Sequence, residues 1–346
     1  MNIASITDQH FGARKNSNLF HDFFLKFYDE VFFPTLEQEG ITTVIDLGDT
    51  FDSRKGIEFS ALAWAKKNYY DRLRQMGITV HTIVGNHTAY YKNTNSINAI
   101  DLLLREYDNV HTISEYKEIK IDDLNIAMVP WINSENEEST YKFLDKSKCP
   151  IVMGHLELSG FYANKSHLME HGYDRKSYKK FVKVFSGHYH HRSNEDNIYY
   201  LGNPYEIYWN DLEDVRGFHI FDTKSFEATP INNPFRMFYR LYYEDTPHQT
   251  LNTSEYENKI IKVVVRKKTD SSNFEKYVDK ILSSGAADVK ILENFAITEN
   301  EDFEVEQSED TLTILSRYLD ESETDVDKIA AKTIIRNIYQ EACEVM

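Results

Sequence analysis

Five short motifs, each directly after an apolar run, carry the side chains of this sequence that could bind metal ions. The first motif contains Asp8 and His10, the second contains Asp49, and the third places Asn86 directly before His87. The five motifs together, without His87, supply a ligand set of two carboxylates, one amide and four imidazoles, three of which belong to the last two motifs. It is too rich in oxygen for a structural zinc site and too rich in nitrogen for calcium or magnesium alone. It suits two ions of manganese, iron or catalytic zinc. The last two motifs supply His155, His188 and His190.

Glycine precedes the candidate ligand in four of these motifs, at positions 48, 85, 154 and 187. Glycine lets the backbone turn sharply after a strand and allows a close approach of neighbouring groups. Ligand sites of open α/β sheets lie at the carboxyl ends of the strands. We therefore expect the five motifs to converge in space, although they are far apart along the chain.

The elements that must position these motifs alternate between apolar runs and helical patterns. This alternation predicts a buried, partly parallel sheet with helices on its faces. Shorter alternating runs over 191–231 predict antiparallel strands and hairpins. The predicted strands are 2–7, 43–48, 80–85, 150–154 and 182–187, and the predicted helices are 18–38, 58–75 and 96–105.

The charge of the chain is concentrated in one segment. The formal net charge is −17, but residues 293–327 contain thirteen acidic residues and a single Arg. Residues 1–292 carry 41 acidic and 35 basic residues, so local basic patches on the body are compatible with the overall acidity. The 41% hydrophobic content predicts a folded protein.

Two cysteines, Cys149 and Cys343, are too few and too far apart in sequence for a disulfide framework. We therefore expect a reduced, intracellular protein. The N-terminal sequence MNIASITDQHFG has neither the basic flank nor the apolar run of a signal peptide or a membrane span.

The order and spacing of the five motifs resemble those of the calcineurin-like metallophosphoesterases. Within that superfamily, GDTFDSRK at 48–55 resembles the DNA-repair nucleases and lacks the Asp-Arg-Gly of the Ser/Thr phosphatases. The later stretches YLGNPYEI and RGFHIFD also resemble the SbcD-type double-strand-break repair nucleases, including those of T-even-like bacteriophages. The motifs support this resemblance over 1–230, and only the arrangement of elements supports it over 231–346.

The resemblance implies an α/β fold, a four-layer α+β metallophosphoesterase sandwich in which helices flank mixed sheets. It also implies a small β-α-β capping domain and C-terminal helices. The expected division is a nuclease domain over 1–231, a connecting segment over 232–258, a capping domain over 259–293, an acidic linker over 294–307 and a helical partner-binding segment over 308–346.

The resemblance also assigns roles to the motif residues. It implies that His87 acts on the departing or phosphoryl oxygens while metal-activated water attacks a phosphodiester. The implied cofactors are two divalent ions, manganese with magnesium as the alternative. One ion takes Asp8, His10, Asp49 and His190, and the other takes Asp49, Asn86, His155 and His188, so that Asp49 bridges them.

One residue departs from the family pattern. Asp or Glu usually follows the His of the third motif, but this chain has Thr88. A carboxylate there would orient the imidazole and favour its charged form. We therefore expect His87 to be less readily protonated, and Thr88→Asp to raise nuclease activity.

The implied partners are DNA and the coiled coil of an SbcC-type ATPase, reached through the C-terminal helices. We also expect a homodimer within a 2:2 complex and no association with a membrane. The expected location is the cytoplasm, which is that of the host cell for a phage protein. Tyr90 and Tyr91 could stack on bases or pack in the core. The basic stretch 174–183 has helical spacings and could bind DNA or face solvent. The expected DNA-contacting residues are Arg14, Lys15, Arg54, Lys55 and Lys92.

Two other functions use the same residues. One is a phosphatase or nucleotide phosphodiesterase on the same scaffold, which the absence of Asp-Arg-Gly disfavours. The other is a weakly catalytic scaffold that binds DNA ends, which Thr88 suggests and the complete ligand set disfavours.

Overall fold

The structure, a computed structural model, describes residues 1–165, 167–266 and 271–293, together with Lys328. The chain divides into two compact units, Met1–Glu293 and Asn294–Met346. The acidic linker and the C-terminal helices expected from the sequence lie outside the described residues.

Two six-stranded mixed sheets dominate the first unit. The first sheet has the order β14-β13-β1-β2-β3-β4, and the second has the order β11-β12-β10-β7-β6-β5. The strands are β1 (Asn2–Ile6), β2 (Thr43–Asp46), β3 (Thr79–Ile83), β4 (Val110–Ile113), β5 (Lys117–Ile121), β6 (Leu124–Val129), β7 (Ile151–His155), β8 (Phe161–Tyr162), β9 (Leu168–Met169), β10 (Lys183–Gly187), β11 (Ser193–Glu195), β12 (Ile198–Tyr200), β13 (Gly217–Asp222), β14 (Ala228–Asn232), β15 (Phe238–Tyr242), β16 (Ile260–Val265) and β17 (Asp288–Glu293).

Strands β1 to β4 of the first sheet run parallel, and β13 and β14 add antiparallel strands at its edge. Strands β6, β7, β10 and β12 form the parallel part of the second sheet. Because side chains alternate along a strand, Ile3 faces the second sheet while Ala4 and Ile6 face the helices. Apolar residues of both sheets form one core between them, and each outer face packs on helices. This confirms the predicted α/β fold.

The helices α1 to α8 lie in the connections between strands. Helices α2, α3 and the π turn Tyr28–Phe32 form one continuous stretch over 18–38, the predicted helix, because Phe20, Phe24 and Phe27 recur at helical spacing on its buried face. Within the described residues, no helix is both long and apolar enough to cross a membrane. The helices are α1 (Ala13–Asn16), α2 (Asn18–Phe27), α3 (Phe33–Gln38), α4 (Phe59–Ala65), α5 (Asp71–Gln75), α6 (Ala99–Leu103), α7 (Glu137–Lys146) and α8 (Ser271–Leu282), with a second π turn at Lys66–Tyr70 and 3-10 turns at Lys176–Tyr178 and Trp209–Asp211.

A three-stranded parallel sheet, β15-β16-β17, follows the two large sheets, and α8 connects β16 to β17. The predicted β-α-β unit is therefore present. Its first strand, β15, lies inside the range 232–258 that the sequence indicated as a connection. Ile260 and Phe238 belong to the large core, so this small sheet packs directly on the main body.

The helical interpretation of the basic stretch 174–183 is wrong. Only Lys176–Tyr178 forms a 3-10 turn, and β10 begins at Lys183. Two of its basic side chains bind neighbouring groups: Arg175 pairs with Glu195 at 2.7 Å, and Lys180 donates to the carbonyls of Asp145 and Ser147.

Candidate metal centre

The seven predicted metal ligands lie together at the carboxyl ends of the strands. Asp8, His10 and Asp49 follow β1 and β2, and Asn86 follows β3. Two groups of ligand atoms, each with all members within 4.8 Å of one another, include six of the seven residues. They are Asp8 with His10 and His190, and Asp49 with His155 and His188. Asn86 lies beside the second group.

In the first group, the imidazoles of His10 and His190 face each other, with their Nε2 atoms 3.0 Å apart. His10 Nε2 also lies 4.0 Å from Asp8 Oδ1. Asp8 is fully buried, and it accepts hydrogen bonds from the Thr7 hydroxyl at 2.6 Å and from the backbone N–H of His188 at 3.0 Å. These bonds fix the carboxylate relative to the fifth motif.

In the second group, Asn86 Oδ1 lies 2.9 Å from both His155 Nε2 and His188 Nδ1. His155 Nε2 lies 3.2 Å from Asp49 Oδ2. On its other side, His155 donates its Nδ1–H to the Leu47 carbonyl at 2.8 Å. That bond fixes the tautomer and leaves Nε2 as the ligand atom.

Two glycines allow this approach. A Cβ on Gly85 would lie 2.2 Å from Asp49 Oδ1, and a Cβ on Gly48 would lie 2.6 Å from His155 Nδ1. Gly48 also has a φ of +107°, which favours glycine. The glycines in the second and third motifs are therefore required by contacts between motifs.

The backbone itself is strained at four candidate ligands. Asp8, His10, Asp49 and His188 have φ values of 52°, 47°, 49° and 89°. Non-glycine residues rarely adopt this region, and such strain concentrates at functional sites, where the surrounding structure maintains it.

The carboxylates and imidazoles alter one another's pKa values. Burial raises the pKa of Asp8. Although burial opposes the change, the charge of Asp49 raises the pKa of His155 to about 9, and the charge of His155 holds the pKa of Asp49 far below its usual range. Burial and the nearby His155 lower the pKa of His188 to about 3. The Asp49 carboxylate therefore favours a positive charge beside it, as a carboxylate that binds a metal ion does.

His87 lies next to these groups. Its backbone N–H donates to Asp49 Oδ1 at 2.8 Å, and its ring meets the His10 ring edge-on with centroids 4.9 Å apart. Its Nδ1–H donates to the backbone carbonyl of Asp52 at 2.6 Å. The ring is therefore oriented by Asp52, and its Nε2 is the atom that can act on a substrate.

Thr88 does not contact this ring through its hydroxyl. It is buried, and both hydrogen bonds of its Oγ1 join Gly85, accepting from the N–H at 2.9 Å and donating to the carbonyl at 3.1 Å. The side chain at position 88 closes the turn of the third motif. The hydroxyl therefore leaves the His87 ring without the partner that a carboxylate at this position would supply, and the effect of Thr88→Asp on activity stays a prediction.

The predicted DNA-contacting residues lie in the segments that follow β1, β2 and β3. Arg14 and Lys15 lie in α1, where both adopt left-handed backbone angles. Arg54 stacks on Trp131 at 5.1 Å and donates to the Tyr91 carbonyl at 3.3 Å. Lys55 and Lys92 are exposed.

The residues fit a pair of divalent ions. The two groups combine buried carboxylate oxygen with imidazole nitrogen, and Asn86 adds an amide oxygen 2.9 Å from two of the imidazoles. Two divalent ions held there would polarise a phosphate and supply a nucleophile at neutral pH.

Comparison with known proteins agrees with this geometry. The family described as calcineurin-like phosphoesterase matches residues 1–192. The chain belongs to this family. As a member of it, this phosphoesterase is a metal-dependent hydrolase of phosphoester bonds.

One relative extends the similarity beyond the matched domain. This phosphoesterase is 31% identical to "Exonuclease subunit 1" of Enterobacteria phage T4 over 312 residues, which cover 89% of this chain and 90% of the phage protein. The solved structure of a novel archaeal phosphodiesterase aligns with 67% of this chain and 100% of its own length, at 14% identity and a TM-score of 0.36.

Sequence reasoning missed Asp52. Its side chain lies 3.1 Å from His10 Nδ1, and its carbonyl binds His87. The available signal was its position, three residues after Asp49 in the same GDTFD segment. It also missed Arg216, a buried residue whose Nη1 donates to the His190 carbonyl.

Proposed function

We propose that this phosphoesterase is a DNA nuclease with two divalent ions, the subunit of a complex with an SbcC-type ATPase that processes DNA ends in recombination and repair. The similarity to a phage exonuclease subunit, at 31% identity over 89% of this chain, is the observation that carries the proposal. Manganese is the proposed metal, with magnesium as the alternative.

The proposed ligand division follows the two groups of side chains. Asp8, His10 and His190 would hold one ion, Asn86, His155 and His188 would hold the other, and Asp49 would contribute to both. The membership of the two groups supports this division. Asp49 lies 3.2 Å from His155 of the second group, and its charge also raises the pKa of Asp8 and His10 in the first group.

The proposed role of His87 is to donate to the departing oxygen of the phosphodiester or to stabilise charge on the phosphoryl oxygens. The bond from His87 Nδ1–H to the Asp52 carbonyl supports this role, because it holds the ring in place while Nε2 faces the substrate. Donation from Nε2 would use the ring form that carries a proton on both nitrogens. Asp52 acts on the reaction through His87 and His10 and is a positioning residue.

The remaining proposals concern DNA and protein partners. Arg14, Lys15, Arg54, Lys55 and Lys92 would bind phosphates without reading sequence. Residues 308–346 would bind the coiled coil of the ATPase, and the acidic segment 294–307 would act as the linker. A truncation after Glu293 tests the contact with the ATPase, because it should abolish co-purification of the two proteins. Two copies of the chain would form a homodimer within a 2:2 complex.

Digestion of duplex and single-stranded DNA with manganese tests the activity. Parent protein should degrade DNA, His87→Ala should lower the rate by about 100-fold or more while still binding manganese, and Asp49→Ala should lose both activity and metal binding. Equal digestion by all three proteins would contradict the assigned site. Hydrolysis of small phosphomonoesters without DNA digestion would favour a phosphatase, and DNA-end binding without either activity would favour a scaffold.

A further inference from the structure

Two neighbouring tyrosines beside the candidate metal centre are held with their rings in solvent. Tyr90 and Tyr91 are 42% and 47% exposed, and their rings pack edge-to-face with centroids 4.8 Å apart. This excludes the alternative that both rings serve the core. Large aromatic side chains left exposed beside a catalytic group are a common feature of binding surfaces.

The loop that carries these rings is pinned at several points. The Tyr90 N–H donates to the Ile97 carbonyl at 2.9 Å, and Ala89 forms a bridge with Asn98. Asn95 is buried and donates to the Trp131 carbonyl at 2.9 Å. The rings are therefore presented by a fixed backbone, which lowers the entropy cost of binding a ligand.

The loop is also joined to the catalytic elements. Arg54 donates to the Tyr91 carbonyl at 3.3 Å and lies two residues after Asp52, whose carbonyl binds His87. His87 itself lies three residues before Tyr90. Arg54 and the exposed Lys92 add positive charge at the same place. A ligand with a flat ring and a phosphate would meet both kinds of group.

We propose that Tyr90 and Tyr91 form a stacking platform for an unpaired base at a DNA end, which selects frayed or single-stranded ends for cleavage. The proposal rests on the DNA substrate of the proposed function. Bases inside a duplex are covered on both faces, whereas an unpaired terminal base offers a free face. Stacking on aromatic side chains tolerates any base, so the selection would be independent of sequence.

The experiment uses full-length protein with manganese in a His87→Ala background, in which cleavage is slow. The DNA carries 2-aminopurine, whose fluorescence falls on stacking, either at an unpaired terminal nucleotide or at a paired internal one. We expect quenching at the terminal position, which Tyr90→Leu with Tyr91→Leu removes. Tyr90→Phe with Tyr91→Phe is the matched control that keeps both rings and should keep the quenching.

Affinity gives a second measurement. The leucine pair should bind DNA with unpaired ends about fivefold or more weakly, and should bind a duplex closed by hairpins at both ends as its parent does. An equal loss on both DNAs, or no loss on either, would overturn the platform. A change in oligomeric state with unchanged end preference would show that the rings contact a second copy of the chain, and would overturn it too.

Digestion by the natural protein, which retains His87, Tyr90 and Tyr91, distinguishes failure of the stacking platform from failure of the proposed nuclease function. If that protein degrades DNA with manganese while the leucine and phenylalanine pairs bind ends alike, only the platform fails. If it degrades no DNA, the proposed function fails.

Discussion

His87 and Thr88 are neighbours in the chain, but their side chains bind different groups. His87 donates to the Asp52 carbonyl, whereas the Thr88 hydroxyl closes the Gly85 turn. Orientation of the His87 ring thus comes from the second motif. Position 88 supports the turn that presents Asn86 and His87.

Replacement of Thr88 by Val keeps the shape of the side chain and removes its hydroxyl. The buried Gly85 N–H then loses its acceptor, so we expect the free energy of unfolding to fall by about 1–3 kcal/mol. Urea unfolding measures this change. Thr88→Ser retains the hydroxyl and is the control, and equal stability of the two variants would contradict the assigned bonds.

Metal binding should depend on pH through His155. With a pKa of about 9, this imidazole carries protons on both ring nitrogens in the metal-free protein at pH 7. The form that binds a metal ion is neutral and has lost the second proton. Affinity should therefore rise with pH from 6 to about 9 and then level off. Calorimetry at pH 7 in buffers of different ionisation enthalpy should show release of about one proton or more, and binding without proton release would contradict this.

The loops after the strands are the elements that bring the ligands together. Each loop is shaped by contacts with another loop: Gly85 borders Asp49, and His188 donates to Asp8. Contacts between these loops thus position candidate ligands that are far apart in the sequence.

Gly85→Ala should disturb metal binding. The added Cβ would lie 2.2 Å from Asp49 Oδ1, so this carboxylate must move, and we expect manganese affinity to fall roughly tenfold or more. Gly56→Ala is a matched control because its Cβ would meet nothing within 4 Å. Manganese titration checks both, and parental affinity in Gly85→Ala would contradict the close approach.

A buried ionic network supports the fifth motif. Arg216 donates to Asp211 at 3.0 Å and Asp214 at 2.9 Å, and also to Asn203 and the His190 carbonyl. It therefore connects the 3-10 turn Trp209–Asp211 and strand β13 to a candidate metal ligand.

Arg216→Met should leave the buried carboxylate of Asp211 without its cation and leave Asp214 with His191 as its remaining partner. We expect the free energy of unfolding to fall by about 3–5 kcal/mol, because an uncompensated buried charge is costly. Arg74→Met removes a half-exposed arginine that pairs with Asp71 at 3.2 Å, and should cost about 1 kcal/mol or less. Similar losses in both variants by urea unfolding would contradict a special role for Arg216.

At the scale of the whole molecule, one buried side chain connects the small sheet to the phosphoesterase body. Glu206 accepts the backbone N–H groups of Met237 at 2.6 Å and Phe238 at 2.9 Å, where β15 begins. Burial raises the pKa of this carboxyl, and the two backbone bonds oppose the rise.

Glu206→Ala removes the acceptor of both N–H groups, each worth about 1–3 kcal/mol when buried. We expect amide hydrogens of β15, β16 and β17 to exchange faster, while those of β1, β2 and β3 change little. Hydrogen exchange followed by mass spectrometry measures this difference. Glu206→Gln keeps an oxygen acceptor and should show a smaller effect, and uniform acceleration across all six strands would contradict a local role.

The sequence by itself determined the family, the α/β fold, most strands and the candidate ligands. These features follow from a local pattern, in which an apolar run is followed by a glycine and then by a candidate ligand. The pattern recurs at strand ends, and the carboxyl ends of parallel strands lie at the same edge of a sheet. The helix over 18–38 was also predictable because its aromatic residues recur at helical spacing.

Only the tertiary structure decided which groups contact these ligands. Asp52 binds His87 across 35 positions and Arg216 binds His190 across 26, so no local pattern records either bond. The direction of Thr88 depends on the turn it closes, and the exposure of Tyr90 and Tyr91 depends on where neighbouring loops leave space. Composition indicates that a side chain can bind, but its partner is set by the packing of distant loops.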